Sequence, residues 1–165
     1  MTAILILGVD PGLNRCGWGL VASEGSRLSY VAHGVIKPPP QQQLASRLHD
    51  VFEGLTAVIE RYAPDEAAVE ETFVNSNARA ALALGQARGV ALAAAARRGL
   101  AVAEYAPATI KKAVVGSGAA DKTQISFMVQ RLLPAAGPVS ADAADALGIA
   151  LCHAAHGGFR RRAGV

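Results

Sequence analysis

The sequence predicts a single α/β domain whose sheet begins antiparallel and continues parallel. Three observations carry this. The first third holds three apolar, β-branched runs separated by short turn segments, the pattern of a meander. Beyond it, segments of helical period alternate with two short apolar runs, the pattern of strand–helix–strand units. The chain has 165 residues, 52% hydrophobic and 18% charged, which suits one packed core and excludes a disordered chain.

The first strand spans residues 3–10 and closes on Asp10, with Pro11 and Gly12 directly after it. Asp-Pro-Gly alone is explained by a turn. A carboxylate ending a buried strand also sits at the sheet rim, where open α/β folds bind ligands. The second strand covers residues 17–23, Glu24 and Gly25 turn the chain, and the third runs from Leu28 to Lys37. Pro38 to Gln43 reads as a short polyproline-like connector.

A helix follows from Leu44 to Tyr62, with Leu44, Leu48, Val51, Leu55, Val58 and Ile59 on one face. Ala63-Pro64-Asp65 stops it. The fourth strand is Glu66 to Glu71. The next helix begins near Asn75 or Ser76 and ends at Arg98 before Gly99. Inside it Ala81, Gly85, Gly89 and Ala93 form a row of small residues, suited either to tight packing on the sheet or to a dimer seam. The fifth strand is Leu100 to Tyr105. A short helix from Ala108 to Val115 has Pro107 at its start, and Gly116-Ser117-Gly118 is hinge-like. A further helix covers Asp121 to Leu133, and residues 134–138 form a loop. Ser140 caps a final helix, Ala141 to His156, which Gly157 and Gly158 end. The domain therefore spans residues 1–156, and the short basic tail, 157–165, is expected to fray.

Sixteen Lys and Arg against thirteen Asp and Glu give a net charge of +3, which permits a polyanionic partner without requiring one. The basic residues cluster at Arg97-Arg98, Lys111-Lys112, Lys122 and Arg160 to Arg162. The first pair fits a helix C-terminus. The N-terminus lacks the pattern of a signal peptide. The apolar stretch near residues 80–96 is broken by Gln86 and Arg88, short of the ~20 residues a membrane span needs. With two cysteines, this predicts a reduced, cytoplasmic protein without a membrane partner. His153 and His156 read as surface or capping residues near a helix end, and His33 and His49 have no partner in spacing.

Three places carry acids that call for an explanation: Asp10, the pair Glu70 and Glu71, and the pair Asp142 and Asp145. Alternation along a strand sends Glu70 and Glu71 to opposite faces, so one of them can join a given site. The spacing of three puts Asp142 and Asp145 on one helix face. Asp142 is explained by the helix dipole alone. Asp145 lies a turn deeper among alanines, leucine and isoleucine, where an unpaired carboxylate is costly. If the first and fourth strands are parallel neighbours, their acids meet at one rim, ~4.8 Å apart. Carboxylates without Cys or His suit Mg²⁺ or Mn²⁺, and two such ions ~3.5–4 Å apart cleave phosphodiesters.

With these stretches in view, the chain resembles the RuvC family of Holliday junction resolvases, in the ribonuclease H-like nuclease superfamily. The resemblance rests on GVDPGLNRCGWGLV, AVEETFVNSN, ALALGQARGVALAAA, EYAPATIKKAVVGSGAADKTQISFMV and ADAADALGIALCH, together nearly the whole chain. It implies a five-stranded mixed sheet in the order 3-2-1-4-5 flanked by helices. It implies metal binding by Asp10, Glu70, Asp142 and Asp145, with Glu70 taken over Glu71 from its place in the V-E-x-x-F string. The first acid of the helical pair varies in the family and is Asp142 here. Lys122 matches a lysine beside the scissile phosphate and completes the catalytic set. Lys111 matches a second basic residue of the DNA cleft, and Phe73 an aromatic that stacks on a base at the crossover. Arg79 and Lys112 are weaker candidates for phosphate contacts.

The activity so implied is Mg²⁺-dependent resolution of four-way DNA junctions by paired symmetric nicks leaving 5′-phosphate ends. Two Mg²⁺ per subunit are expected, with Mn²⁺ able to substitute, together with a homodimer and a branch-migration motor of the RuvA and RuvB type. The rival readings are a YqgF-like nuclease acting on RNA, a junction-binding protein without chemistry, and an actin-like phosphotransferase. For the last the chain lacks room for a second domain.

Overall fold

A computed structural model describes residues 2–71 and 76–163, with side-chain surroundings described as far as residue 157. Strands β1 (Ile4–Asp10), β2 (Cys16–Glu24), β3 (Arg27–Ile36), β4 (Glu66–Glu70) and β5 (Ala101–Tyr105) form one mixed sheet. Its order is β3-β2-β1-β4-β5. The hairpin-linked pairs β1–β2 and β2–β3 are antiparallel, while β4 runs parallel to both β1 and β5. The expected topology is therefore present, and β1 and β4 end side by side.

Helices α1 (Leu44–Tyr62) and α2 (Ala78–Arg97) cover one face of the sheet, against Leu7, Val9, Leu20, Ala67 and Val69. Helices α3 (Pro107–Val115), α4 (Lys122–Leu132) and α5 (Ala141–Ala163) cover the other, against Ile6, Val21 and Ala68. Neighbours along β1 and β4 thus go to opposite layers, as the pleat requires. Asp10 and Glu70 fall in step with Ile6 and Ala68, on the α5 face.

Two glycines set how closely α5 lies on the strands. A Cβ at Gly8 would come within 2.1 Å of the Ala146 carbonyl oxygen, and one at Gly17 within 2.2 Å of the Asp142 carbonyl oxygen. Only residues without a side chain let the helix backbone rest on the sheet there.

Several local expectations change. The α2 cap is Asn77, whose side chain accepts from the Ala80 amide at 3.0 Å, so the helix starts at Ala78 rather than beside Asn75 or Ser76. The small-residue row of α2 does not pack on the sheet. Ala87, Ala91, Ala94 and Ala95 are buried, whereas Gly85 and Gly89 face open space. The proline connector turns instead of staying extended, with the Gln42 amide donating to the Pro39 carbonyl at 3.2 Å. A 3₁₀ turn at Pro134–Ala136 occupies the expected loop.

Helix α5 continues through Gly157 and Gly158 to Ala163. Glycine ends a helix by adopting left-handed backbone angles, and neither of these residues has a positive φ. His153 is correspondingly not a surface residue. It is buried between Tyr105, 2.8 Å from the hydroxyl, and Glu66, 2.6 Å from the carboxylate. Among the described residues no helix is long and apolar enough to cross a membrane, and both cysteines are buried free thiols.

Candidate active site

Asp10 is the last residue of β1 and pairs in register with Gly17 of β2. On its other side β4 follows β1 in parallel up to Val9 and Val69, so Glu70 is the next residue at the same rim. Because Gly17 admits the first turn of α5, that helix delivers Asp142 and Asp145 to this rim from above. Asp10, Glu70 and Asp145 line one cavity of about 180 Å³, together with Lys111 of α3 and Lys122 of α4. Ile125 and Ile149 form part of its apolar wall.

The basic side chains owe their places to helix starts. Asp121 caps α4 in a reciprocal box: the Gln124 amide donates to Asp121 at 2.8 Å, and the Asp121 amide donates to Gln124 at 2.9 Å. That fixes the first turn, and the Lys122 Nζ stands 3.6 Å from an Asp145 carboxylate oxygen. Lys111 lies on the second turn of α3, which starts at Pro107 and stops at Gly116 in left-handed conformation.

The electrostatics are those of crowded like charges. Burial, then the carboxylates of Asp145, Glu70 and Asp142, push the Asp10 carboxyl up from 3.8 to about 8, against the opposing Lys122. Burial, reinforced by Asp145, raises Glu70, while Lys122 and Lys111 oppose the rise. Asp145 is raised by burial, with Lys122 again opposing. Asp142 is engaged elsewhere: the Arg15 guanidinium donates to it at 2.9 Å.

The donor set is carboxylate oxygen throughout, which fits a hard divalent cation. A cation would also relieve the repulsion that raises Asp10. As the side chains stand, no group of three His, Cys, Asp or Glu among the described residues is set to hold a metal ion. Each α5 acid faces a cation of the chain instead, Lys122 at Asp145 and Arg15 at Asp142.

The residues expected at the site divide accordingly. Asp10, Glu70, Asp145, Lys111 and Lys122 come together, and Asp142 lies at the edge on Arg15. Lys112 and Arg79 are exposed on α3 and α2, outside the cavity. Phe73 lies outside the described residues. Three arginines escaped the sequence reading. Arg15 holds Asp142, Arg47 donates to the Leu13 carbonyl and the Asn14 side chain in the loop after Asp10, and Arg88 donates to the Glu70 carbonyl. Arg88 did carry a signal, as a charge inside an alanine-rich helix.

The profile of the family described as crossover junction endodeoxyribonuclease RuvC matches residues 6–153. The chain belongs to the RuvC family. Its activity is accordingly that of a crossover junction endodeoxyribonuclease, a phosphodiester hydrolase. RuvC from Caulobacter vibrioides is 61% identical over 149 residues, covering 90% of this chain and 88% of its own. RuvC from Caulobacter sp. strain K31 is 62% identical over 151 residues, 92% of this chain and 89% of its own. Among solved structures, Thermus thermophilus RuvC in complex with Holliday junction substrate matches with a TM-score of 0.87 and 33% identity, over 94% of this chain and 96% of that one. The yeast mitochondrial resolvase Ydc2 shares the fold, with a TM-score of 0.64 at 12% identity, over 95% and 83% of the two chains.

Proposed function

We propose that this RuvC-family nuclease resolves four-way DNA junctions by paired symmetric nicks, with Asp10, Glu70, Asp142 and Asp145 as ligands of two Mg²⁺ ions. The observation that carries this is the meeting of carboxylates from β1, β4 and α5 with Lys111 and Lys122 in one cavity. The junction complex of the Thermus relative supports the choice of substrate. Divalent ions bound at these acids would supply Lewis-acid stabilisation and an activated water for in-line hydrolysis.

The chain's own residues do the rest. Asp10, which feels the charges of Glu70 and of both α5 acids, would be the ligand shared between the ions. Lys122, now paired with Asp145, would turn its ammonium to the scissile phosphate and offset the charge that develops there. Lys111, which lines the same cavity, would add a second contact to the DNA backbone. Arg15 exchanges Asp142 for a phosphate, and Lys112 and Arg79 add backbone contacts outside the cavity, without sequence preference. Phe73 stacks on a base at the crossover, a contact worth ~1–3 kcal/mol. Mn²⁺ can substitute for Mg²⁺, and the products carry 5′-phosphate ends.

Two symmetric nicks call for two sites related by a two-fold axis. The outward face of α2, with Leu82 64% exposed beside Gly85 and Gly89, is the seam of that homodimer. A branch-migration motor of the RuvA and RuvB type presents the junction, and the work is cytoplasmic. Incubation with a labelled synthetic four-way junction, with Mg²⁺ or EDTA and beside Asp10→Asn, tests the reading. Paired nicks that need both metal and Asp10 are expected. Junction binding without cleavage under any divalent ion, or cleavage of structured RNA instead, would overturn it.

A further inference from the structure

We propose that Arg88 is a positioning residue for Glu70. Arg88 lies on α2, across the sheet from the cavity, and its Nε donates to the Glu70 backbone carbonyl at 3.2 Å. The same guanidinium pairs with Glu104 on β5. On the other side of that peptide, the Glu71 amide donates to the Tyr105 carbonyl at 2.8 Å.

The need for such a clamp follows from the register. The ladder between β4 and β1 ends at Val69, one residue before the acid. On the β5 side Glu70 is the last paired residue, opposite Tyr105. Glu70 therefore sits where strand pairing gives out, and a frayed end would swing its carboxylate. The peptide joining Glu70 to Glu71 is instead held at both ends, by a β5 carbonyl and by a guanidinium. The fork of Arg88 spans the Glu70 carbonyl and the Glu104 carboxylate at once, a geometry lysine cannot reproduce. Arg88 does not line the cavity, and it acts by fixing the backbone from which Glu70 projects.

The inference rests on Glu70 being a metal ligand, so the test measures metal binding directly. Mn²⁺ binding to the full chain is followed by the loss of the free-ion electron paramagnetic resonance signal for wild type, Arg88→Gln, Arg88→Lys, Glu70→Gln and the double variant Arg88→Gln/Glu70→Gln. Melting temperature and metal-free junction affinity are read alongside. Loss of an outer partner costs ~10–100-fold in metal affinity, and Arg88→Gln is expected in that range, with Arg88→Lys recovering little. Junction affinity stays within about twofold, and the double variant binds Mn²⁺ no worse than Glu70→Gln alone, as two residues acting in series do.

Unchanged Mn²⁺ binding in Arg88→Gln, with only a lower melting temperature, would reduce Arg88 to a structural residue and overturn the proposal. Unchanged Mn²⁺ binding in Glu70→Gln would overturn the ligand assignment beneath it, a different failure. Should Arg88→Gln not fold, Glu104→Gln at the half-exposed end of the clamp carries the test. Weaker Mn²⁺ binding at an unaltered melting temperature supports the clamp, and wild-type binding refutes it.

Discussion

Gly17 and Asp142 meet backbone to backbone: a Cβ on the glycine would lie 2.2 Å from the aspartate carbonyl oxygen. Strand β2, which pairs Gly17 with Asp10 of β1, and the helix that carries Asp142 and Asp145 are thus in contact through an absent side chain. Gly17→Ala must push α5 off the rim. Overpacking of this kind costs ~1–3 kcal/mol, and each kcal/mol lowers the melting temperature by ~2–4 °C in a domain of this size. Cleavage is expected to fall more than stability does, since the shift moves Asp142 and Asp145. A variant with wild-type melting and wild-type cleavage would refute the contact.

The raised Asp10 carboxyl makes the metal-free protein sensitive to pH. The folded state holds a proton on Asp10 up to about 8, whereas the ordinary value is 3.8. Between those values the folded chain binds the proton and the unfolded chain does not, so this group's share of stability is full below the lower value and lost as pH rises through the window. Asp10→Asn removes the effect. Thermal melts without metal, from about pH 5 to pH 8, should show the variant gaining on wild type as pH rises. Added Mg²⁺ should close the gap by stabilising the wild-type carboxylate.

Lys122 has two expected effects of opposite sign. In the role proposed for it, its removal in Lys122→Met would take a cation from the phosphate, and loss of one such stabilising group costs ~10²–10³ in kcat. It also takes a competitor from Asp145, so Mn²⁺ should bind no more weakly than in wild type. Single-turnover cleavage and a metal titration separate the two. Weaker metal binding in the variant would contradict the pairing seen with Asp145.

Ala63 ends α1 in the left-handed region, with φ 47° and its amide donating to the Ile59 carbonyl at 2.9 Å. A Cβ there costs ~1–2 kcal/mol, partly offset in Ala63→Gly by the greater freedom of glycine when unfolded. The substitution should raise the melting temperature by a few degrees and leave cleavage unchanged, because residue 63 lies far from the rim. A lower melting temperature would argue against the strained cap.

The fold was legible because its signals are local or periodic. The apolar face of α1 gave its bounds at Leu44 and Tyr62, and β1 announced its end with Asp10. The acids were legible too, because a carboxylate deep in the apolar α5 demands a partner. What escaped depends on contacts between distant segments. Arg15 and Asp142, or His153 with Glu66 and Tyr105, have no spacing to betray them. Gly157 and Gly158 misled because a stop and an unstrained helical glycine share one letter, and only φ separates them. The outward turn of Gly85 and Gly89 was undecidable from periodicity, since alanines fill the other side of α2 as well.

The route by which α5 reaches the rim has a consequence for when this nuclease becomes dangerous to DNA. Helix α5 follows all five strands in the chain, so on the ribosome Asp10 and Glu70 emerge and pair well before Asp145 exists. The sheet can form early, yet its rim then holds an incomplete set of acids. With Asp145 as the ligand proposed above, cutting power would arrive only when the last helix settles into the groove that Gly8 and Gly17 leave open. On that assignment, synthesis order and helix docking would together act as a safety catch, released only once the last helix has docked.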